Sequence, residues 1–323
     1  MQRSPGACVS SVVDPDPAAA DLAGARGLAW QASIAEMLAA EPPDGVIVAT
    51  PNRLHVEHGL ECLRAGRPVL VEKPIADDAR AALRLIEAAE ALGLPVLVGH
   101  HRRHNPVVQA AKARIDGGAI GEVVSAHVAC WLYKPDGYFE VAWRSRKGAG
   151  PILVNLIHDV DLLRYLIGEV EEVQAAASNR RRGHEVEDSA AIILRFAQGA
   201  LATMTLSDTV VAPWSWELTA EENPDFPATG ETCCFIGGTR GSLEIPGGKL
   251  WSQEGERNWW RPIERSAYEV APRDPWDLQI AQFCEVIAGR AEPLVSGREA
   301  LGSLQVIEAI IEAARSGGRV RPG

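Results

Sequence analysis

Two residues in this chain have side chains suited to moving a proton and steadying charge on an oxygen. They are Lys73, in Val71-Glu72-Lys73-Pro74, and His158, in His158-Asp159-Val160-Asp161. A lysine ammonium stabilises a developing alkoxide. A histidine titrates near neutrality and can take up or return a hydroxyl proton. Each also has a plainer reading. Lys73 can be a surface lysine in a loop, and His158 can be a helix-face histidine satisfied by Asp159 or Asp161. Residue type alone leaves both readings open.

The elements around these residues are legible from periodicity. Residues 7–13 are β-branched and end at Asp14-Pro15-Asp16-Pro17, a turn signal. Residues 18–24 and 33–40 read as helices, the second with a capping box at Ser33 and Glu36. Residues 45–50, 68–71 and 95–98 are short apolar runs, as expected of strands covered on both faces. Helices at 52–65 and 77–92 separate them, the latter closed by Gly93. Short strands alternating with helices imply a parallel, doubly wound sheet. Lys73 therefore follows the carboxyl end of a strand, where open α/β sheets bind ligands, and Pro74 fixes the turn that aims it.

The second half has a different rhythm. Helices are expected at 106–115 and 155–167, the latter carrying His158. Strand-like runs follow at 122–132, 170–178, 189–196, 200–207, 214–220, 233–236 and 242–245. They read as an open, mainly antiparallel sheet in an α+β domain. Helices return at 277–288 and 297–316. The reading divides the chain at about residue 120, into a dinucleotide-binding domain (1–120) and a substrate-binding and oligomerisation domain (121–323).

Composition narrows the partners. The 323 residues are 46% hydrophobic and 23% charged, with a formal net charge of -11. A polyanion repels phosphate backbones and anionic lipid, so neither nucleic acid nor a membrane surface is an expected partner. No run of about 18 apolar residues exists to span a bilayer. Six cysteines, none in a CxxC pair, suit free thiols in a reducing cytoplasm. Residues 1–5 lack the apolar stretch of a signal peptide. His100, His101 and His104 could bind zinc, but Arg102 and Arg103 beside them oppose a cation, and no metal is expected. Arg180-Arg181-Arg182 reads as a solvated loop. Trp214, Trp216, Trp259 and Trp260 read as packing or subunit contacts.

The order and spacing of several motifs extend the argument. They are Ala49-Thr50-Pro51-Asn52-Arg53-Leu54-His55, Glu72-Lys73-Pro74, the segment 99–106, Tyr138 to Arg144, Gly148-Ala149-Gly150-Pro151, and His158 to Tyr165. Over nearly the whole chain these strongly resemble the family of glucose-fructose oxidoreductase and inositol 2-dehydrogenase. The resemblance implies a Rossmann-type domain followed by an open-sheet domain. It places Lys73 near the nicotinamide ribose and reacting hydroxyl, and His158 as proton acceptor. It puts Thr50, Pro51, Asn52, His55 and Glu72 along the cofactor cleft, with Asp14 on the adenine ribose. A carboxylate there repels a 2′-phosphate, so NAD is expected rather than NADP. Trp143 and Arg144 match a segment lying over cofactor and substrate, and Tyr138 is a weaker candidate from the same stretch. The family also implies a homodimer or homotetramer through the C-terminal sheet.

The sequence departs from the family twice. Many members carry an aspartate four residues before the histidine; here that position is Val154, followed by Asn155. An asparagine can hydrogen-bond a substrate hydroxyl but cannot act as a base, which implies altered substrate recognition. The family also begins with a strand and a GxGxxG turn that carries the pyrophosphate. Nothing like it exists here, and a βα unit of roughly 20–30 residues is missing. A truncated start is the expected cause. The expected activity is oxidation of a secondary hydroxyl in a sugar, inositol or related polyol, or the reverse reduction. Two rivals stand beside it: hydrolysis of glycosides through transient oxidation on tightly held NAD, and a non-catalytic metabolite sensor with the same cleft.

Overall fold

The computed structural model describes residues 6–253 and 255–323. The chain packs as two compact units. One runs through His101 and takes back Pro275–Leu301. The other comprises Arg102–Asp274 and Gly302–Gly323.

The first unit alternates strand and helix: β1 (Ser11–Val13), α1 (Ala18–Gly24), β2 (Ala29–Gln31), α2 (Ile34–Ala40), β3 (Val46–Val48), α3 (His55–Arg64), β4 (Val69–Val71), α4 (Ala79–Leu92) and β5 (Val96–Val98). All pairings are parallel, but the strands form two separate sheets, β1-β2 and β3-β4-β5. The apolar runs are strands because both faces are covered. Val69, Leu70, Val71, Val96, Leu97 and Val98 are all buried. Caps set the helix limits. Ser33 Oγ accepts from Glu36 N at the start of α2, and Asp78 Oδ1 accepts from Ala81 N at the start of α4. Gly93 ends α4 in the left-handed conformation at φ 64°, which glycine adopts without a Cβ penalty. Strand β2 has no sequence counterpart above, since it is three residues long and only partly buried.

The second unit contains α5 (Pro106–Asp116), β6 (Val123–Trp131), α6 (Pro151–Val154), α7 (Leu156–Ile167), β7 (Val170–Ser178), β8 (Ser189–Phe196), β9 (Leu201–Ser207), α8 (Trp216–Thr219), β10 (Cys234–Gly238), β11 (Gly241–Ile245), β12 (Lys249–Ser252) and β13 (Glu264–Ala267). Its eight strands lie in the order β13-β12-β11-β10-β6-β9-β8-β7. Only β6 and β9 pair in parallel; the other pairs are antiparallel. Strict alternation on β8 turns Ala190, Ile192, Leu194 and Phe196 inward, into the core cluster that also holds Leu156, Val160 and Leu163 of α7. Residues 214–220 contradict the expected strand. There Ser215 takes the extended N-cap position, and Trp216 to Thr219 form a helical turn with Trp216 buried. Burial of Trp216 decides that turn, where local composition suggested a strand. Strands β12 and β13 were not foreseen; β13 is exposed at every residue and polar, so it carries no alternation.

Helix α9 (Pro275–Ile287) belongs to the first unit. Its Phe283 and Val286 pack on Leu70 and Leu97 of the parallel sheet. Helix α10 (Gly297–Ser316) begins in that unit, and its remainder lies in the second. The expected cut at residue 120 and the assignment of everything beyond it to one domain thus differ from the packing. Among the described residues no helix is long and apolar enough to cross a membrane.

Candidate active site

In the first unit, the carboxyl ends of β3, β4 and β5 lead into Thr50, Glu72 and Gly99. The strands hold them level: Glu72 N donates to Val48 O at 2.9 Å and Gly99 N to Val71 O at 2.8 Å. His55 ties two of these turns together. Its Nδ1 lies 2.8 Å from Pro74 O and its Nε2 2.7 Å from Thr50 O, and the residue is 1% exposed. A carbonyl only accepts, and the tautomer decides which ring nitrogen donates. Each ring nitrogen of His55 thus faces a carbonyl of the chain itself, and a neutral ring donates to one of the two. Thr50 Oγ1 lies 3.1 Å from His58 Nδ1. Pro51 is exposed, and Asn52 opens the single 3-10 turn Asn52–Leu54 before α3.

Lys73 is half-buried and precedes Pro74 through a cis peptide bond. Its backbone N–H donates to Glu72 Oε2 at 3.2 Å. The Glu72 carboxylate fills the space beside Gly99, where a Cβ would stand 2.9 Å from Oε2. Asp14 directly follows β1. Its Oδ1 accepts from Asp16 N at 2.8 Å, and its own N–H donates to Gln31 O. Oδ2 has no hydrogen bond among the described residues, so an acceptor remains at a strand end for a ribose hydroxyl. The residues present thus suit the two ends of a dinucleotide. Among the described residues the unit has no glycine turn for the phosphates.

In the second unit, α7 carries the other candidates. His158 sits in its first turn, 8% exposed, with its N–H 3.2 Å from Asn155 O. The acids that follow it in α7 have arginine partners. Arg102 Nη1 donates to Asp159 Oδ1 at 2.8 Å, and its Nη2 to Glu217 Oε1 at 3.0 Å. Arg103 grips Asp161 with two bonds, Nε–Oδ2 at 2.8 Å and Nη2–Oδ1 at 2.7 Å. Ser303 Oγ adds a third bond to Asp161. These pairs explain why the packing divides the chain after His101: the arginines that follow are anchored on α7. Burial pushes the Asp159 carboxyl up to about 6 against the pull of Arg102. Burial also opposes charge on Arg102, but Asp159, Glu217 and Glu222 together outweigh it and hold its pKa up.

Arg144 and Tyr138 lie together. The guanidinium is 4.2 Å from the Tyr138 ring centre, and Nη1 donates to Tyr138 O at 2.9 Å. Trp143 beside them is 57% exposed. Asn155 is reached by a residue the sequence reading did not single out. Lys134, three residues beyond β6, donates from Nζ to Asn155 Oδ1 at 2.7 Å. Its position at a strand end was the available signal. Burial lowers its pKa, against the support of Asp208. Glu187 was also missed. It accepts from Ile152 N at 2.8 Å, and its carboxylate occupies the place where a Cβ on Gly150 would fall. That close approach is why Gly150 precedes α6. Arg182 is no solvated loop residue. Its side chain is 8% exposed, and it binds Asp208 Oδ1 at 2.8 Å and the carbonyls of Lys134 and Asp208 at 2.6 Å. The six cysteines are free, and among the described residues no cluster of His, Cys, Asp or Glu is placed to hold a metal.

Both halves of the chain are similar to known proteins. Residues 1–100 match the oxidoreductase family with an NAD-binding Rossmann fold, and residues 108–244 match the GFO/IDH/MocA C-terminal domain. The chain is 28% identical to 1,5-anhydro-D-fructose reductase of Ensifer adhaerens, over 98% of this chain and 91% of that protein. It is 32% identical to inositol 2-dehydrogenase 2 of Saccharopolyspora erythraea, over 62% of this chain and 59% of that one. The solved WlbA dehydrogenase from Bordetella pertussis, in complex with NADH and UDP-GlcNAcA, aligns with a TM-score of 0.76 at 25% identity, covering 97% of this chain and 89% of that one. With both its dinucleotide-binding and its C-terminal domain matched, this chain belongs to the GFO/IDH/MocA family of NAD-binding oxidoreductases.

Proposed function

We propose that this protein is an NAD-dependent dehydrogenase that interconverts a secondary hydroxyl and a ketone on a sugar, inositol or related polyhydroxy compound. When bound, the nicotinamide supplies the hydride acceptor. His158 takes the hydroxyl proton and returns it in the reverse direction. Lys73 stabilises the developing oxyanion. Asn155, Arg144 and Tyr138 hold the substrate. Asp14 accepts from ribose hydroxyls and favours NAD over NADP. Thr50, Pro51, Asn52, Glu72 and Trp143 border the cofactor, with His55 bracing the turns behind them.

The observation that carries this reading is His158 itself, buried in the first turn of α7 three residues after Asn155, whose amide Lys134 orients. The protein works in the cytoplasm, where six free thiols persist. It assembles with copies of itself through the outer sheet face, where Phe235, His127, Thr203 and Ile193 form a row across four strands. Calorimetry with NAD and NADP tests the cofactor half. NAD is expected to bind more tightly than NADP; equal affinities would remove Asp14 from the role given to it.

A further inference from the structure

Lys134 is 8% exposed, yet no carboxylate pairs with its ammonium among the described residues. Its backbone is pinned on both sides, by its own N–H to Asp208 O at 2.9 Å and by Arg182 on its carbonyl. Its side chain ends at Asn155 Oδ1, and Nζ lies 5.0 Å from the Tyr138 ring centre. The nearby acids support its charge from a distance but make no bond to it: Asp208 is bound by Arg182, and Glu187 accepts from Ile152 N. A buried charge beside a neutral amide is unfavourable unless something completes it. An ammonium has three donors, and Asn155 uses one.

The same bond orients Asn155. An ammonium only donates, so the amide must turn its oxygen to Lys134 and its NH2 group away. Asn155 thus offers donors rather than an acceptor, one turn before His158. Arg144 stands on the ring of Tyr138 as Lys134 does, and brings a second cation to it. Donors and positive charge gather here, which suits an oxygen-rich anion better than a neutral hydroxyl.

We propose that Lys134 and Asn155 form a carboxylate-recognition pair, and that the substrate class is a sugar acid, a uronate or aldonate, rather than a neutral polyol. The proposal rests on the dehydrogenase reading for the role of His158, but the pair is tested by binding alone. The measurement is calorimetry on the full chain with NAD present, titrating a panel of hexuronates and hexonates, each beside its neutral sugar or alditol. At least one acid should bind tenfold or more tightly than its neutral counterpart. Lys134→Gln should erase that difference by weakening the acid, and Lys134→Arg should restore part of it. Asn155→Asp should weaken acids more than neutral compounds. The proposal is overturned if no acid binds, if neutral compounds bind as tightly, or if Lys134→Gln keeps the preference. Nicotinamide reduction is followed in parallel. Selective acid binding without reduction would sink the dehydrogenase reading and leave the pair standing. Reduction by neutral polyols without acid preference would do the reverse.

Discussion

Arg102 Nη1 and Asp159 Oδ1 stand 2.8 Å apart with both side chains almost wholly buried, beside the histidine that the proposed chemistry depends on. The pair occupies one oxygen of the acid that follows His158 in α7. It also has a measurable signature. The Asp159 carboxyl is raised to about 6 by burial, above the unfolded value of about 3.9. A raised acid binds its proton more tightly in the folded state. Its favourable contribution is therefore complete below pH of about 4 and is lost as pH rises through 6. Against Asp159→Asn, which does not titrate there, the relative stability of the wild type should fall across that window by at most about 3 kcal/mol. Urea unfolding of both proteins from pH 4 to 7 measures it, and a constant difference would contradict the assignment.

Arg103 and Asp161 make the stronger geometry of the two, with paired bonds and almost no exposure. Removing one partner of such a pair strands a buried charge. Arg103→Met should destabilise by about 3–5 kcal/mol. Arg103→Lys should recover little, because an ammonium cannot copy the two-pronged contact. Chemical denaturation reads both, and full recovery by lysine would show that only the charge matters.

His55 joins the turns after β3 and β4 through Thr50 O and Pro74 O. His55→Leu removes the ring nitrogens and leaves carbonyls in a dry place. A stability loss of about 1–3 kcal/mol is expected. The same variant should raise the Kd for NAD, since the turn that carries Lys73 loses its brace. Unchanged NAD affinity in a folded variant would assign His55 to stability alone.

Gly150 has the Glu187 carboxylate where a Cβ would be. Gly150→Ala should push Glu187 off Ile152 N and disturb the entry to α7. Overpacking of this kind costs about 1–3 kcal/mol, readable as a fall in Tm. An unaltered Tm would mean that Glu187 swings aside freely.

Much of this was legible before the structure. The strands at residues 69–71 and 96–98 announce themselves because burial on both faces demands unbroken valine, isoleucine and leucine, and 46–48 carries the same apolar run though only Val48 is fully buried. Ser33, Asp78 and Gly93 mark helix limits through cap chemistry that is local in sequence. What escaped depends on distant partners. Lys134 and Asn155 are 21 residues apart and meet only because β6 ends where α7 begins. Arg182 carries no local mark that distinguishes it from Arg180 and Arg181, yet it alone finds Asp208. The turn at Trp216 is helical because its indole is buried, a cause absent from any window of neighbouring residues. The return of α9 to the parallel sheet rests on Phe283 and Val286 meeting Leu70 and Leu97, contacts spanning the length of the chain.

In the proposed mechanism His158 moves the substrate proton in an NAD-dependent oxidation. The most direct test of this step is the rate of NADH formation by wild type and His158→Asn, with sugar acids and neutral polyols as substrates and with NAD binding checked in both proteins. The account predicts NADH accumulation by the wild type and a fall of about 10²-fold or more in kcat for the variant, with NAD still bound. Equal turnover by the two proteins, or no NADH from any polyhydroxy compound while NAD is bound, would contradict it.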